Sequence, residues 1–387
     1  MNENFDFLVR KDITFLNFGS FGSCPKEIFS FYQGKQLELE SQPVYFIVEE
    51  GIHQLNNARK SLSQYVNCDH DDLVFVTNPS YAINTIAKSL PLNKGDEVLS
   101  TNLEYGALIR TWNYYCEKKG AKFVQQSIPL PLSTVEEVVD AFFSGCNKNT
   151  KAIFISQITS STALILPVAE ICIEAKKRGL LTIVDGAHVP AHIALNLHEL
   201  KADIYTGACH KWMMAPKGAS FLFASKNVQE WIDPLLISWG FQTENPSSSR
   251  FIDYHQTAGT RDFSAFLTVP FCIDFMKRHD WEKVSRINKE MTIEWANRLK
   301  DRLKFKSISP IDDTFLGQMF AIPIQTTDSL KLKEILWVKF KIEIPVTQMG
   351  NRNFIRFSIQ AFNDWDDYAA LETALIDLQK SEIIKFC

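Results

Sequence analysis

The chain has 387 residues, 45% of them hydrophobic and 12% aromatic, with only 16 glycines and 15 prolines, which excludes a disordered, collagen-like or low-complexity protein. At about 150 residues per domain there is chain for roughly two to three domains, and so for a large core with a cleft between lobes. Lys and Arg total 41 against 45 Asp and Glu, a formal charge of −4, so no basic excess points to nucleic acid or to an anionic membrane.

The eight cysteines (Cys24, Cys68, Cys116, Cys146, Cys172, Cys209, Cys272 and Cys387) are scattered, with no CxxC pair and no zinc-ligand spacing. They read as reduced thiols. The start, MNENFDFLVRKD, lacks a basic segment followed by an apolar one, and no run of about 18 uncharged apolar residues occurs. A soluble cytoplasmic protein with neither membrane nor nucleic acid as partner is the expectation.

Residues 1–30, with the Gly-punctuated stretch FLNFGSFGSCP, predict an irregular arm that the main sheet does not need. Across residues 31–255 the pattern predicts one large domain. Between about 70 and 225, β-branched runs alternate with segments of helical period, as βαβ units around a buried and largely parallel sheet require. The candidate strands are 72–76, 96–101, 122–128, 151–158, 180–185 and 202–208, with another after the PKG turn at 216–218. One helix is well punctuated: Pro167 suits a first turn, AEICIEAKKR has the period, and Gly179 stops it before the next strand. The turn-rich stretch 238–251 predicts a surface crossing or a cleft cover. Residues 256–387 change to long charged amphipathic helices and short strands around QMFAIPI and FIRFSI, predicting a smaller C-terminal domain.

Three segments carry chemistry. In VFVTNPSYAINTIAKSL a strand runs into the turn Asn78-Pro79-Ser80 and then a helix, whose free N–H groups beside the Ser80 hydroxyl suit a phosphate. A plain N-cap explains the same residues. In LLTIVDGAHVPAH, Asp185 ends a strand at the edge where open α/β sheets bind ligands, with His188 just beyond; the alternative is an Asp that caps a turn and a structural histidine. In GACHKWMMAPKGASFLF, Lys211 lies in an apolar run that favours a neutral, nucleophilic amine able to form an imine with a carbonyl, although most such lysines reach for water. Together, an anion-binding helix start, an acid to pair with a pyridinium nitrogen and an imine-forming lysine are what pyridoxal phosphate (PLP) needs from a protein. Lys211 is then also placed to move a Cα proton.

With these residues on the page, the chain resembles PLP-dependent enzymes of fold type I, class V aminotransferases of the isopenicillin N epimerase-like branch. The likeness rests on LNFGSFGSCP, TNPSYAIN, LEYGALIRTW, SQITSSTALILPV, VDGAHVPA, CHKWMMAPKG, AGTRDFSAF and IRFSIQAFN, in the expected order. It implies an α/β fold: a large lobe with a mostly parallel seven-stranded sheet between helices, and a smaller α+β lobe. It implies that Lys211 bonds the cofactor, Asp185 faces its ring nitrogen, His188 lies by its phenolic oxygen and Tyr105 stacks on its ring. The phosphate would sit on Asn78, Pro79 and Ser80 with His210, and with Thr260 contributed by the partner subunit of a homodimer. Ser160 would be a polar contact, and Arg356 would grip the α-carboxylate of an amino-acid-like substrate, a task that suits a planar, always charged fork.

Phe18, Ala208 and Gln157 depart from the residues common in such relatives, Phe18 by removing a polar group from the expected substrate mouth. The desulfurases of this fold need a mobile cysteine about 15 residues before the carboxylate-binding arginine, and KFKIEIPVTQMGNRNFIRF has none. The expected activity is therefore that of an aminotransferase or epimerase. A carbon–sulfur β-lyase acting on a cysteine conjugate is the alternative, and a PLP-fold binding protein without turnover is the reading outside catalysis. No metal is expected.

Overall fold

Thirteen strands organise the chain in the computed structural model, which describes residues 5–387. In chain order they are β1 Thr14–Phe15, β2 Leu73–Val76, β3 Glu97–Thr101, β4 Lys122–Gln126, β5 Thr150–Ser156, β6 Leu181–Gly186, β7 Ile204–Ala208, β8 Ser220–Ala224, β9 Met319–Gln325, β10 Ile342–Glu343, β11 Val346–Met349, β12 Arg352–Ser358 and β13 Lys385–Phe386. The large sheet has the order β2-β8-β7-β6-β5-β3-β4, and only β8 runs against its neighbours. This is the seven-stranded, mostly parallel sheet expected.

Helices on both faces explain why the central strands read as nearly unbroken apolar runs. Successive residues feed two separate clusters, as the two-residue strand period requires: Val74, Val98, Phe154, Ile183 and Leu222 on one face, and Phe75, Leu99, Ile155, Val184 and Phe221 on the other. The edge strand β4, KFVQQ, is the exception, with Lys122 and Gln125 exposed, which blunts an open edge with polar side chains. The crossovers are the helices Pro79–Ser89, Gly106–Lys119, Val135–Phe143 and Val168–Lys177. Pro167 stands at the N-cap of the last of these, one position before the predicted first turn, and Gly179 beyond it takes φ +69.

After β3 the chain crosses outward to β4 and then returns to lay β5 on the other side of β3. The crevice at the carboxyl ends of β3 and β5 is therefore the switch point at which open α/β sheets take ligands. The eleven-residue return from β7 to β8 also turns over this edge, because Ala208 pairs with Ser220, so Lys211 is delivered to the same rim.

The second sheet is antiparallel, in the order β11-β12-β9-β13, and packs with the helices Trp281–Leu303, Ser329–Phe340 and Trp365–Lys380. The long charged stretch from 271 to 304 is broken by Asp280 at φ +46, so Val269–Arg278 and Trp281–Leu303 are separate helices. Residues 14–24 do not hang free: β1 pairs with β10, the Ser358 N–H donates to the Leu16 carbonyl at 2.9 Å, and the Gly19 N–H donates to Ser358 Oγ at 3.0 Å. A buried polar seam joins the two sheets. His192 Nδ1 donates to the His188 carbonyl at 3.0 Å while Nε2 accepts from the Gln318 N–H at 2.6 Å; burial drives this ring down to about 3, which keeps it neutral for that pattern. No helix among the described residues is long and apolar enough to cross a membrane.

Candidate active site

A cavity of about 730 Å³ opens where β2, β3, β5, β6 and the β7–β8 return end, and Arg356 of β12 enters it from the second sheet. Its lining unites Asn78, Pro79, Ser80, Tyr105, Ser160, Asp185, His188, His210, Lys211 and Arg356. Of the residues expected to hold cofactor or substrate, Thr260 lies outside it, exposed on the turn after the helix Arg250–Gln256.

Each side chain arrives by a local rule. Asn78 is the N-cap of Pro79–Ser89, with Oδ1 accepting from the Tyr81 N–H at 2.8 Å; Pro79 has no N–H, and that of Ser80 belongs to the first turn, which has no partner within the helix. The N-cap reading holds, and it leaves the Ser80 N–H free of a partner within the helix. Asp185 is the next-to-last residue of β6, is 4% exposed, and accepts from the Ala187 N–H at 2.9 Å. Lys211 Nζ lies 3.1 Å from His188 Nε2. With the amine donating, the ring proton is on Nδ1, and that Nδ1 is buried without a partner. His210 Nδ1 donates to the Ala219 carbonyl at 3.0 Å, leaving Nε2 for the cavity. Tyr105, 46% exposed, stands over the opening.

Arg356 is 2% exposed. Its Nη2 donates to Ser20 Oγ at 3.0 Å, Nη1 donates to the Ser160 carbonyl, and Nε has no partner. No carboxylate pairs with it among the described residues. Ser160 therefore acts on Arg356 through its backbone, and Ser20 is a site residue that the sequence reading missed. The signal for Ser20 was faint, a serine in a Gly-punctuated segment. Its position becomes clear only from Gly22, at φ +66, where a Cβ would lie 2.4 Å from the His210 carbonyl oxygen and 2.6 Å from that of Lys211.

None of the three departures from the common pattern reaches the cavity: Ala208 is fully buried at the end of β7, paired with Ser220. Phe18 is fully buried, 5.3 Å from the Trp212 ring, so Ser20 and Phe21 form this part of the mouth instead. Gln157 points to the opposite face of the sheet from Asp185 and accepts from Tyr205 Oη at 2.8 Å.

Burial sets the charge states. It pushes the Lys211 amine down to about 7, with Arg356 helping and Asp185 opposing. Asp185 is raised by burial, while the Ala187 N–H and Lys211 oppose that rise. His188 is driven well down by burial and by the Lys211 and Arg356 charges, and His210 falls to about 4. The site thus holds a partly neutral amine, a buried acid and a guanidinium awaiting an anion.

The aminotransferase class-V family model matches residues 30–371. The chain belongs to that family. It is 31% identical to an isopenicillin N epimerase of Amycolatopsis lactamdurans over 95% of this chain and 96% of that one. It is 26% identical to a probable chloroplastic L-cysteine desulfhydrase of Arabidopsis thaliana over 94% and 82%. Among solved structures, the cystine C–S lyase C-DES with its product cysteine persulfide superposes with a TM-score of 0.82 at 17% identity, covering 95% and 98% of the two chains, a likeness of fold.

This class-V protein is a PLP-dependent enzyme of fold type I acting at the Cα of its substrate. The residues fit the cofactor. The orphaned Nδ1–H of His188 suits an oxygen acceptor, the singly bonded Asp185 suits a cationic N–H, and the start of Pro79–Ser89 suits a phosphate. A phosphate dianion would also draw a proton onto His210 Nε2. When bound, PLP supplies a cationic ring that draws electrons from bonds at Cα. Lys211 and Asp185 line the cavity together with the buried apolar side chains of Ile158 and Leu108. Among the described residues, no cysteine lines the cavity.

Proposed function

We propose that this protein removes the Cα proton of an amino acid, or of an amino-acid-like compound with a free α-carboxylate, as an epimerase or aminotransferase. Lys211 bonds the cofactor and shuttles the proton, Asp185 holds the ring nitrogen protonated, His188 contacts the phenolic oxygen and Tyr105 covers the ring. Asn78, Pro79, Ser80 and His210 hold the phosphate, and Ser160 orients Arg356 on the carboxylate. Residues 31–255 carry the cofactor and 256–387 bring Arg356. The active form is a cytoplasmic homodimer in which Thr260 of each subunit completes the partner's phosphate site, a role compatible with its exposure away from its own cavity.

The observation that carries this reading is one cavity holding both a lysine amine brought to about 7 and a buried guanidinium with no acid partner among the described residues. The first suits proton transfer near neutral pH and the second suits a carboxylate. The epimerase relative favours return of the proton to Cα, and the desulfhydrase relative supports β-elimination as the second reading. Incubation with a panel of L- and D-amino acids and cysteine conjugates in deuterated water separates these outcomes. Deuterium at Cα with loss of optical purity marks epimerisation, a keto acid marks transamination, and pyruvate with ammonia marks elimination. Recovery of every substrate unlabelled and unconverted would refute the proposal.

A further inference from the structure

Glu104 is a buried acid that the reading above does not use. It lies three residues beyond the end of β3, precedes Tyr105 and is 6% exposed. Its Oε1 accepts from Thr101 Oγ1 at 2.6 Å, and its Oε2 accepts from Ser156 at 3.0 Å (N–H) and 2.5 Å (Oγ). Thr101 Oγ1 in turn accepts from the Leu103 N–H at 3.1 Å, so the turn leading to Tyr105 is held from both sides.

The place of these bonds gives them meaning. β3 and β5 are paired through Leu99 and Ile153, and their pairing stops there, short of Thr101 and Ser156. Beyond that point β5 stays paired to β6, with Ser156 opposite Asp185. The two strands therefore part at the switch point, and the Ser156 N–H, no longer bonded across to β3, is taken by Glu104. A buried N–H left unpaired there would be costly, by about 1–3 kcal/mol.

We propose that Glu104 is a positioning residue: a side-chain tie across the parting of β3 and β5 that fixes the turn bearing Tyr105 relative to the Asp185 end of the cavity. This rests on the assignment of Tyr105 and Asp185 to opposite contacts of the cofactor ring. The tie replaces the backbone ladder where the sheet must open to admit a ligand, so the crevice is wide yet rigid. Thr101, Ser156 and Asp185 face the Glu104 carboxyl, and none of them is a cation. Burial pushes it up from 4.5 to about 7, with Asp185 adding, while the hydrogen bonds from Ser156 and Thr101 oppose that rise.

Visible circular dichroism of the bound cofactor reports how its ring is held and is independent of turnover. Glu104→Ala is expected to reduce that band at least about twofold and to weaken PLP affinity about tenfold, the effect of losing buried hydrogen bonds. Glu104→Gln, which keeps the shape and an acceptor for the Ser156 N–H, is expected to restore both. Should Glu104→Ala not fold, Thr101→Val cuts one arm of the tie and is expected to reduce the band in the same direction. In the apo-protein, wild type is expected to lose thermal stability relative to Glu104→Gln as pH rises from 4.5 to about 7, since the folded carboxyl binds its proton more tightly than the unfolded one. A band and affinity unchanged in Glu104→Ala, or Glu104→Gln as damaged as Glu104→Ala, would overturn the proposal while leaving the cofactor site intact. Absence of the band from wild type would overturn the cofactor assignment, and this inference with it.

Discussion

The amine of Lys211 must be neutral to attack an aldehyde, and the surroundings decide how often it is. An ordinary lysine at 10.5 is neutral at pH 7 in about one molecule in 3,000. Burial brings Lys211 to about 7, so about half the molecules are ready, a gain of roughly a thousandfold. The rate at which apo-protein captures PLP, followed in a stopped-flow instrument by the yellow absorbance of the lysine-bound cofactor, should climb to a midpoint near 7 and then level off. The two neighbouring charges act in opposite senses on this midpoint. Asp185 stabilises the ammonium, so Asp185→Asn should move it lower; Arg356 repels the ammonium, so Arg356→Gln should move it higher. The sign for stability follows as well: the folded lysine binds its proton less tightly than the unfolded one, so between about 7 and 10.5 the apo-protein gains stability as pH rises. A capture rate still rising steeply at about pH 10, as for an ordinary lysine, would refute the reasoning, as would both variants moving the midpoint the same way.

Other substitutions test separate parts of the site. Arg356→Lys keeps a charge but not the fork held by Ser20 and Ser160, so KM should rise about 10- to 100-fold for substrates with a free α-carboxylate and little for decarboxylated analogues; steady-state kinetics on matched pairs checks this. Asp185→Asn should keep the cofactor bound, as judged by absorbance after gel filtration, and lower kcat at least about 100-fold, because a neutral partner does not hold the ring nitrogen protonated. Gly22→Ala adds a methyl against the backbone of His210 and Lys211 at a left-handed φ, so it should cost about 1–3 kcal/mol in thermal unfolding and slow cofactor capture.

Much of this was legible because each part obeys a local rule. The strands from β2 to β7 were visible as β-branched runs, and Asp185 and Lys211 stand where a parallel strand and a strand return meet the ligand edge. Asn78 and Ser80 were visible as a cap. What escaped the sequence depended on pairing between distant segments. Ser20 matters only because β1 lies beside β10 and Leu16 bonds Ser358, which draws residues 18–22 between Arg356 and Lys211. Phe18, read as part of the mouth, is buried because the same path turns it onto Trp212. Nothing in the sequence singled out Glu104; only the early end of the β3–β5 pairing reveals what it holds. Gln157 faces away because side chains alternate along the chain leaving β5, and the register that places Ser156 opposite Asp185 turns its neighbour to the other face.

The central claim is the bond between this protein and its cofactor. Borohydride reduction of the purified yellow protein, followed by proteolysis and mass spectrometry, reads that bond directly. The expected result is a single pyridoxyl mass on the peptide containing Lys211; the same mass on the peptide containing Lys217, which also lines the cavity, with Lys211 unmodified would contradict the account.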